Sequence, residues 1–114
     1  MRLAFAILLA LATASGTLAK TPHNADVAGA IAFLMPVHDG ACPGLSFDPV
    51  VMSRMIDPKG LSVEAVRKRF KKDFDESAAK AADNIKIEGL PAYCTFARDF
   101  FGQNPGVFPG LVVR

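Results

Sequence analysis

Arg67-Lys68-Arg69-Phe70-Lys71-Lys72 places five basic side chains in six positions. Such a density could hold phosphate, nucleic acid or lipid head groups. On a helical wheel, however, these basics lie opposite Phe70 and Phe74, and acids stand four residues from most of them. Glu64 can meet Lys68, Asp73 can meet Arg69, Asp75 can meet Lys71, and Glu76 can meet Lys72. Residues 64–76 hold five basic and four acidic side chains, a net charge of only +1. The run reads as a solvated helix face. Arg67, Lys68, Lys71 and Lys72 are kept as candidate partner-binding residues.

His38-Asp39-Gly40-Ala41-Cys42 holds three potential metal ligands in one turn. A metal needs several converging donors, and the one other histidine, His23, lies near the N-terminus. No metal site and no cofactor are expected. A Cys-His nucleophile fails for want of a free thiol if Cys42 is oxidised, and no Gly-x-Ser-x-Gly elbow or glycine-rich phosphate loop occurs. Asp73 with Glu76 is the nearest carboxylate pair, but acid/base work needs a partly desolvated cleft and this pair falls on the charge-balanced face. The expectation is a non-enzyme with no catalytic residues.

The elements that position these groups follow an N-terminal stretch of different character. Met1-Arg2 precedes an apolar run from Leu3 to Ala12, then Thr13-Ala14-Ser15-Gly16-Thr17-Leu18-Ala19. That order of charge, apolar core and small residues is a secretory signal peptide, with Thr17 and Ala19 fitting a cut before Lys20. Ala12-Thr13-Ala14 offers a second cut. An apolar run of about 10 residues is too short for a hydrocarbon core that needs about 20, so no stable membrane insertion is expected. Of 114 residues 51% are hydrophobic, but residues 1–19 carry much of that excess. Without Arg2 the formal net charge falls from +2 to +1, which gives no electrostatic case for nucleic acid. The expected organisation is a signal peptide over 1–19 and a single small domain over 20–114, periplasmic or secreted.

Cys42 and Cys94 are the only cysteines, and export makes a disulfide their expected state. No Cys-x-x-Cys pair and no adjoining basic cluster marks either as a reactive thiol. Four helices are expected. The first runs from Ala25 to Met35, with Asn24 as N-cap and Pro36 as stop. The second opens at Asp48-Pro49 and ends near Asp57-Pro58-Lys59-Gly60. Ser62 caps the third and longest, whose core stripe is Val63, Val66, Phe70, Phe74 and Ala81. Pro91 opens the fourth, which carries Tyr93, Phe96, Phe100 and Phe101 and stops at Gly102. Strands are confined to Ile85–Ile87 and Leu111–Val113 as minor options. The turn-rich tail after Gly102 carries Val107, Phe108 and Leu111 and is expected to fold back on the aromatic helix. The fold class is therefore all-α: four helices, one disulfide and a folded-back tail.

The C-terminal stretch from Tyr93 to Leu111 is the most distinctive. Its aromatics serve as core, or Phe100, Phe101 and Phe108 leave an apolar patch for a partner. Cys42 and Cys94, 52 positions apart with a charged helix between them, make the chain resemble small exported helical proteins of Gram-negative bacteria. Among these are periplasmic acid-stress chaperones of the HdeA/HdeB type, while the Cys94-to-Leu111 pattern is similar to small exported proteins of alphaproteobacteria. The likeness covers roughly residues 40–101. Cys42-Pro43-Gly44 stands where an aromatic-Cys-acidic helix start belongs, and the tail after Gly102 has no counterpart. The resemblance implies a domain that opens at low pH and holds clients on apolar surface. The reading favoured by the residues is an exported interaction protein with a protein partner, in the periplasm or as a secreted, host-directed, virulence-associated factor. The alternative is the pH-gated chaperone.

Overall fold

Residues 24–38 contain hardly a polar side chain, so a helix built from them is apolar all the way round and must be covered on every side. In the computed structural model, which describes residues 22–103 and 106–114, α1 (Asn24–His38) is that central helix. Val27, Ala28, Ile31, Ala32, Leu34 and Val37 on it are all buried. The expected signal peptide over residues 1–19 lies outside the described residues. Around α1 pack β1 (Leu45–Phe47), α2 (Pro49–Ser53), α3 (Val63–Arg69), α4 (Lys71–Glu88), α5 (Leu90–Phe101) and β2 (Leu111–Val113).

Local chemistry sets most of the boundaries. The His23 N–H donates to Asp26 Oδ2 at 3.3 Å, so the N-cap is His23 and not Asn24. Pro36 does not stop α1. The helix runs two residues past it, and the Tyr93 hydroxyl donates to the Phe33 carbonyl in the turn where the proline disturbs the ladder. Termination comes at Gly40, whose φ of 91° closes a double-bonded cap: Gly40 N–H to Val37 O and Ala41 N–H to Pro36 O, both 3.0 Å. Asp48 Oδ1 accepts from Val50 and Val51 at the start of α2, and Ser62 Oγ accepts from Ala65 at the start of α3. Both caps were expected.

Three further expectations need correction. The long third helix is broken at Phe70 (φ −128°, ψ 49°) into α3 and α4, giving five helices among the described residues. The break lets Arg67 from α3 and Lys71 from α4 converge on the one Asp75 carboxylate, at 2.8 and 2.7 Å. Ile85–Ile87 is helical, because α4 continues to Glu88 and a single residue, Gly89, joins it to α5. The domain is mostly helical but not all-α. Leu111–Val113 pairs antiparallel with Leu45–Phe47, in the register Leu45↔Val113, Ser46↔Val112 and Phe47↔Leu111. The tail thus returns to the body as a strand, with Phe47 and Leu111 buried.

Ser53 is fully buried yet satisfied. Its hydroxyl lies 2.7 Å from the Val50 carbonyl and 3.1 Å from that of Leu61, and accepts from the Leu61 N–H at 2.7 Å. This pins the 54–61 connection against α2, whose regular turns end before Asp57.

Cys42 and Cys94 form the expected disulfide, with Cα atoms 5.5 Å apart. It ties the chain after α1 to the middle of α5 and closes a separation of 52 residues. The chain-entropy treatment gives such a loop about 4 kcal/mol. We expect the Cys42→Ser/Cys94→Ser variant to lose about that much unfolding free energy in urea titrations. A loss below about 1 kcal/mol would show that the reduced chain is already constrained.

Candidate partner-binding groove

The basic face expected from sequence is present, but its pairing differs. Lys71 Nζ lies 2.7 Å from Asp75 and Lys72 Nζ 2.8 Å from Glu76, both four residues apart as expected. Glu64–Lys68 and Asp73–Arg69 do not form. Arg69 instead reaches Asp57 at 3.9 Å, and Arg67 donates to both oxygens of Asp75 at 2.8 and 3.3 Å. In a straight helix Arg67 and Asp75 would be separated by about 12 Å of rise. The break at Phe70 brings them together. Lys68 forms no ion pair among the described residues, and with Ser62, Glu64 and Ala65 it borders an open hollow of about 550 Å³.

The hydrogen bonds from Arg67 and Lys71 hold the Asp75 carboxyl at about 2. Lys72 lowers Glu76 in the same way. Since these groups are exposed, their pairing contributes modestly and is screened by salt.

The aromatic candidates separate into two roles. Phe100 is 46% exposed, whereas Phe101 is only 6% exposed and belongs to the core. Phe108 is half-buried against Phe101, with ring centroids 5.5 Å apart. Two further rings join them that the sequence reading did not select. Phe96, also 46% exposed, stacks on Phe100 at 5.5 Å with planes within 5°. Phe33 of α1 meets Tyr93, Phe96 and Phe101 at 5.2, 5.6 and 6.2 Å. Phe96 and Phe100 are four apart on one helix, so that spacing was a usable signal. Phe33 reaches them across a gap of more than sixty residues, which no local pattern reveals.

These rings form one side of a groove of about 520 Å³. Its floor is the α1 face of Ala25, Gly29, Ala30 and Phe33, where small side chains leave depth. Opposite the rings stands a polar stripe of α4: Asp73, Glu76, Ser77 and Lys80. Gly29 sets the approach of the two helices, because a Cβ there would lie 2.7 Å from Ser77 Oγ. Comparisons with protein-family models, curated proteins and solved structures found no match. The arrangement is therefore read from its own chemistry: an aromatic wall, a small-residue floor and a mostly acidic rim.

His38, Asp39 and Cys42 are not assembled into a site. The turn is the helix cap described above, His38 Nδ1 lies 3.1 Å from the Phe47 carbonyl, and Cys42 is in the disulfide. Among the described residues no three His, Cys, Asp or Glu side chains are grouped to hold a metal ion. Among the same residues no helix is long and apolar enough to cross a membrane. Tyr93, the largest buried side chain, has its hydroxyl pKa raised by burial.

Asp75 yields a pH prediction. A carboxyl with its folded pKa depressed from 3.8 to about 2 adds stability above the unfolded value, and loses it as pH falls through the folded one. We expect Asp75→Asn to lower the melting temperature at pH 7 and to flatten the loss of stability between about pH 4 and pH 2. Near pH 1.5 the variant and the parent should melt together. Parallel melting curves from pH 7 to pH 2 would show that the Arg67–Asp75–Lys71 cluster adds nothing to the fold.

Proposed function

We propose that the chain is an exported, non-enzymatic interaction protein, acting in the periplasm or as a secreted, host-directed factor. In this reading it holds an apolar segment of a protein partner in the groove between α1, α4 and α5. The observation that carries it is the stacked Phe96–Phe100 pair, both rings 46% exposed, beside a hollow of about 520 Å³. Single exposed apolar residues are ordinary, but a contiguous aromatic patch beside a groove marks a binding surface. The disulfide supports an oxidising compartment. The test is a photo-crosslinking phenylalanine analogue placed at Phe100, with Val50, which does not line the groove, as control. The Phe100 probe should give a discrete protein adduct in the native host's envelope or medium that the Val50 probe does not. No adduct, or the same adducts at both sites, would overturn the assignment.

A second reading is the pH-gated chaperone that the HdeA/HdeB resemblance implies. It is favoured by the clustering of Asp75 and Glu76 in ion pairs across and beside the α3–α4 break. Protonation of Glu76, and of Asp75 as pH reaches about 2, would leave Arg67, Lys71 and Lys72 uncompensated at that break, and self-repulsion would loosen α4 from α1. Light scattering of an aggregating client should then fall at pH 2–3 and not at pH 7. Equal scattering with and without the protein at pH 2–3 would remove this reading.

A further inference from the structure

The groove is not uniformly apolar, and its charge is lopsided. Three carboxylates, Asp26, Asp73 and Glu76, border it against one amine, Lys80. Two of the three are already engaged: Glu76 with Lys72 at 2.8 Å, and Asp26 with the His23 N–H at 3.3 Å. Asp73 is half-buried and forms no ion pair among the described residues. An unpaired carboxylate partly removed from water gains by meeting a cation. The facing rings add a second attraction, since the π-faces of exposed phenylalanines draw cations.

We infer that the groove selects a basic apolar segment of a protein, seating a large apolar side chain on Phe96 and Phe100 and a neighbouring Lys or Arg against Asp73. The inference rests on the groove being the binding site and adds the chemistry of its occupant. Charge complementarity sets the choice of occupant. An acidic segment would add like charge to the carboxylate rim, and an anionic lipid surface would meet the same repulsion. A purely apolar segment would leave Asp73 without a partner in a site that binding dries.

The test uses the oxidised mature chain and two fluorescent peptides identical in their leucines and phenylalanines, one with two lysines and the other with two glutamates in their place. A third peptide carries serines at those positions. At low salt the lysine peptide should bind at least about tenfold more tightly than the serine peptide, about 1.4 kcal/mol. The glutamate peptide should bind most weakly. The preference should shrink to about twofold in 0.5 M NaCl, where screening is strong. Asp73→Asn should remove most of the lysine preference, by weakening the lysine peptide and by easing the serine peptide, which no longer strands a carboxylate. The salt dependence of the parent protein decides the matter even if that variant does not fold. Equal affinity for all three peptides would overturn the charge selection and leave the groove as an apolar site. No binding of any peptide would overturn the groove assignment itself. Tighter binding to phosphatidylglycerol vesicles than to the lysine peptide would overturn the inference in favour of a membrane.

Discussion

Helix α1 has almost no polar face to offer water, and the rest of the fold follows from the need to cover it. A helix that is apolar on all sides is stable only when neighbours enclose it. Here α4 and α5 close one flank, and α2 with the β1–β2 pair closes another. Covering fifteen residues in so small a domain uses nearly every element available, including the C-terminal strand. The Cys42–Cys94 bond then fixes the end of that central helix to α5, the element bearing three of the five rings that line the groove. Small domains gain little from their cores, so a constraint on the unfolded chain counts for a large share of their stability.

Sequence reading recovered the parts of this design that local chemistry controls. The caps at Asp48 and Ser62, the start of α5 near Pro91 and the disulfide are encoded by residues within a turn of where they act, or by simple cysteine arithmetic. It failed where neighbours decide. Pro36 usually ends a helix, but here the buried surroundings and the Tyr93 hydroxyl hold the chain helical past it. Leu45-Ser46-Phe47 is too short for a period-2 pattern to stand out, and it becomes a strand only because Leu111–Val113 returns beside it. Leu111–Val113 carries enough apolar β-branched character to read as a short strand on its own; Leu45–Phe47 does not.

The same division runs through the proposed binding surface. Phe100 and Phe108 were legible as candidates, because an aromatic run beside a turn-rich tail is conspicuous. The distinction between Phe100 and Phe101 was not. Adjacent residues on a helix point about 100° apart, and only the tertiary packing decides which direction is inward. Nor could sequence supply Phe33 or the acidic rim, whose members come from α1 and α4 and meet only after folding. The groove is a by-product of enclosing α1: where its face is Ala25, Gly29 and Ala30, the covering helices leave a channel between them.

The magnitude of the exposed aromatic surface indicates what such a channel could do. A phenylalanine offers about 200 Å² to solvent, so two rings at 46% exposure hold roughly 180 Å² in reserve. At about 25 cal/mol per Å² their burial contributes about 4.5 kcal/mol. Micromolar affinity needs about 8 kcal/mol net of the cost of association. The aromatic pair therefore cannot hold a partner unaided. The rest must come from the floor of the groove, from hydrogen bonding and from Asp73, the half-buried carboxylate of the rim, which forms no ion pair among the described residues. An occupant that satisfied the rings but not Asp73 would lose a polar interaction on binding as well as gain apolar ones. That opposition turns a generic apolar patch into a surface able to discriminate among segments of similar hydrophobicity.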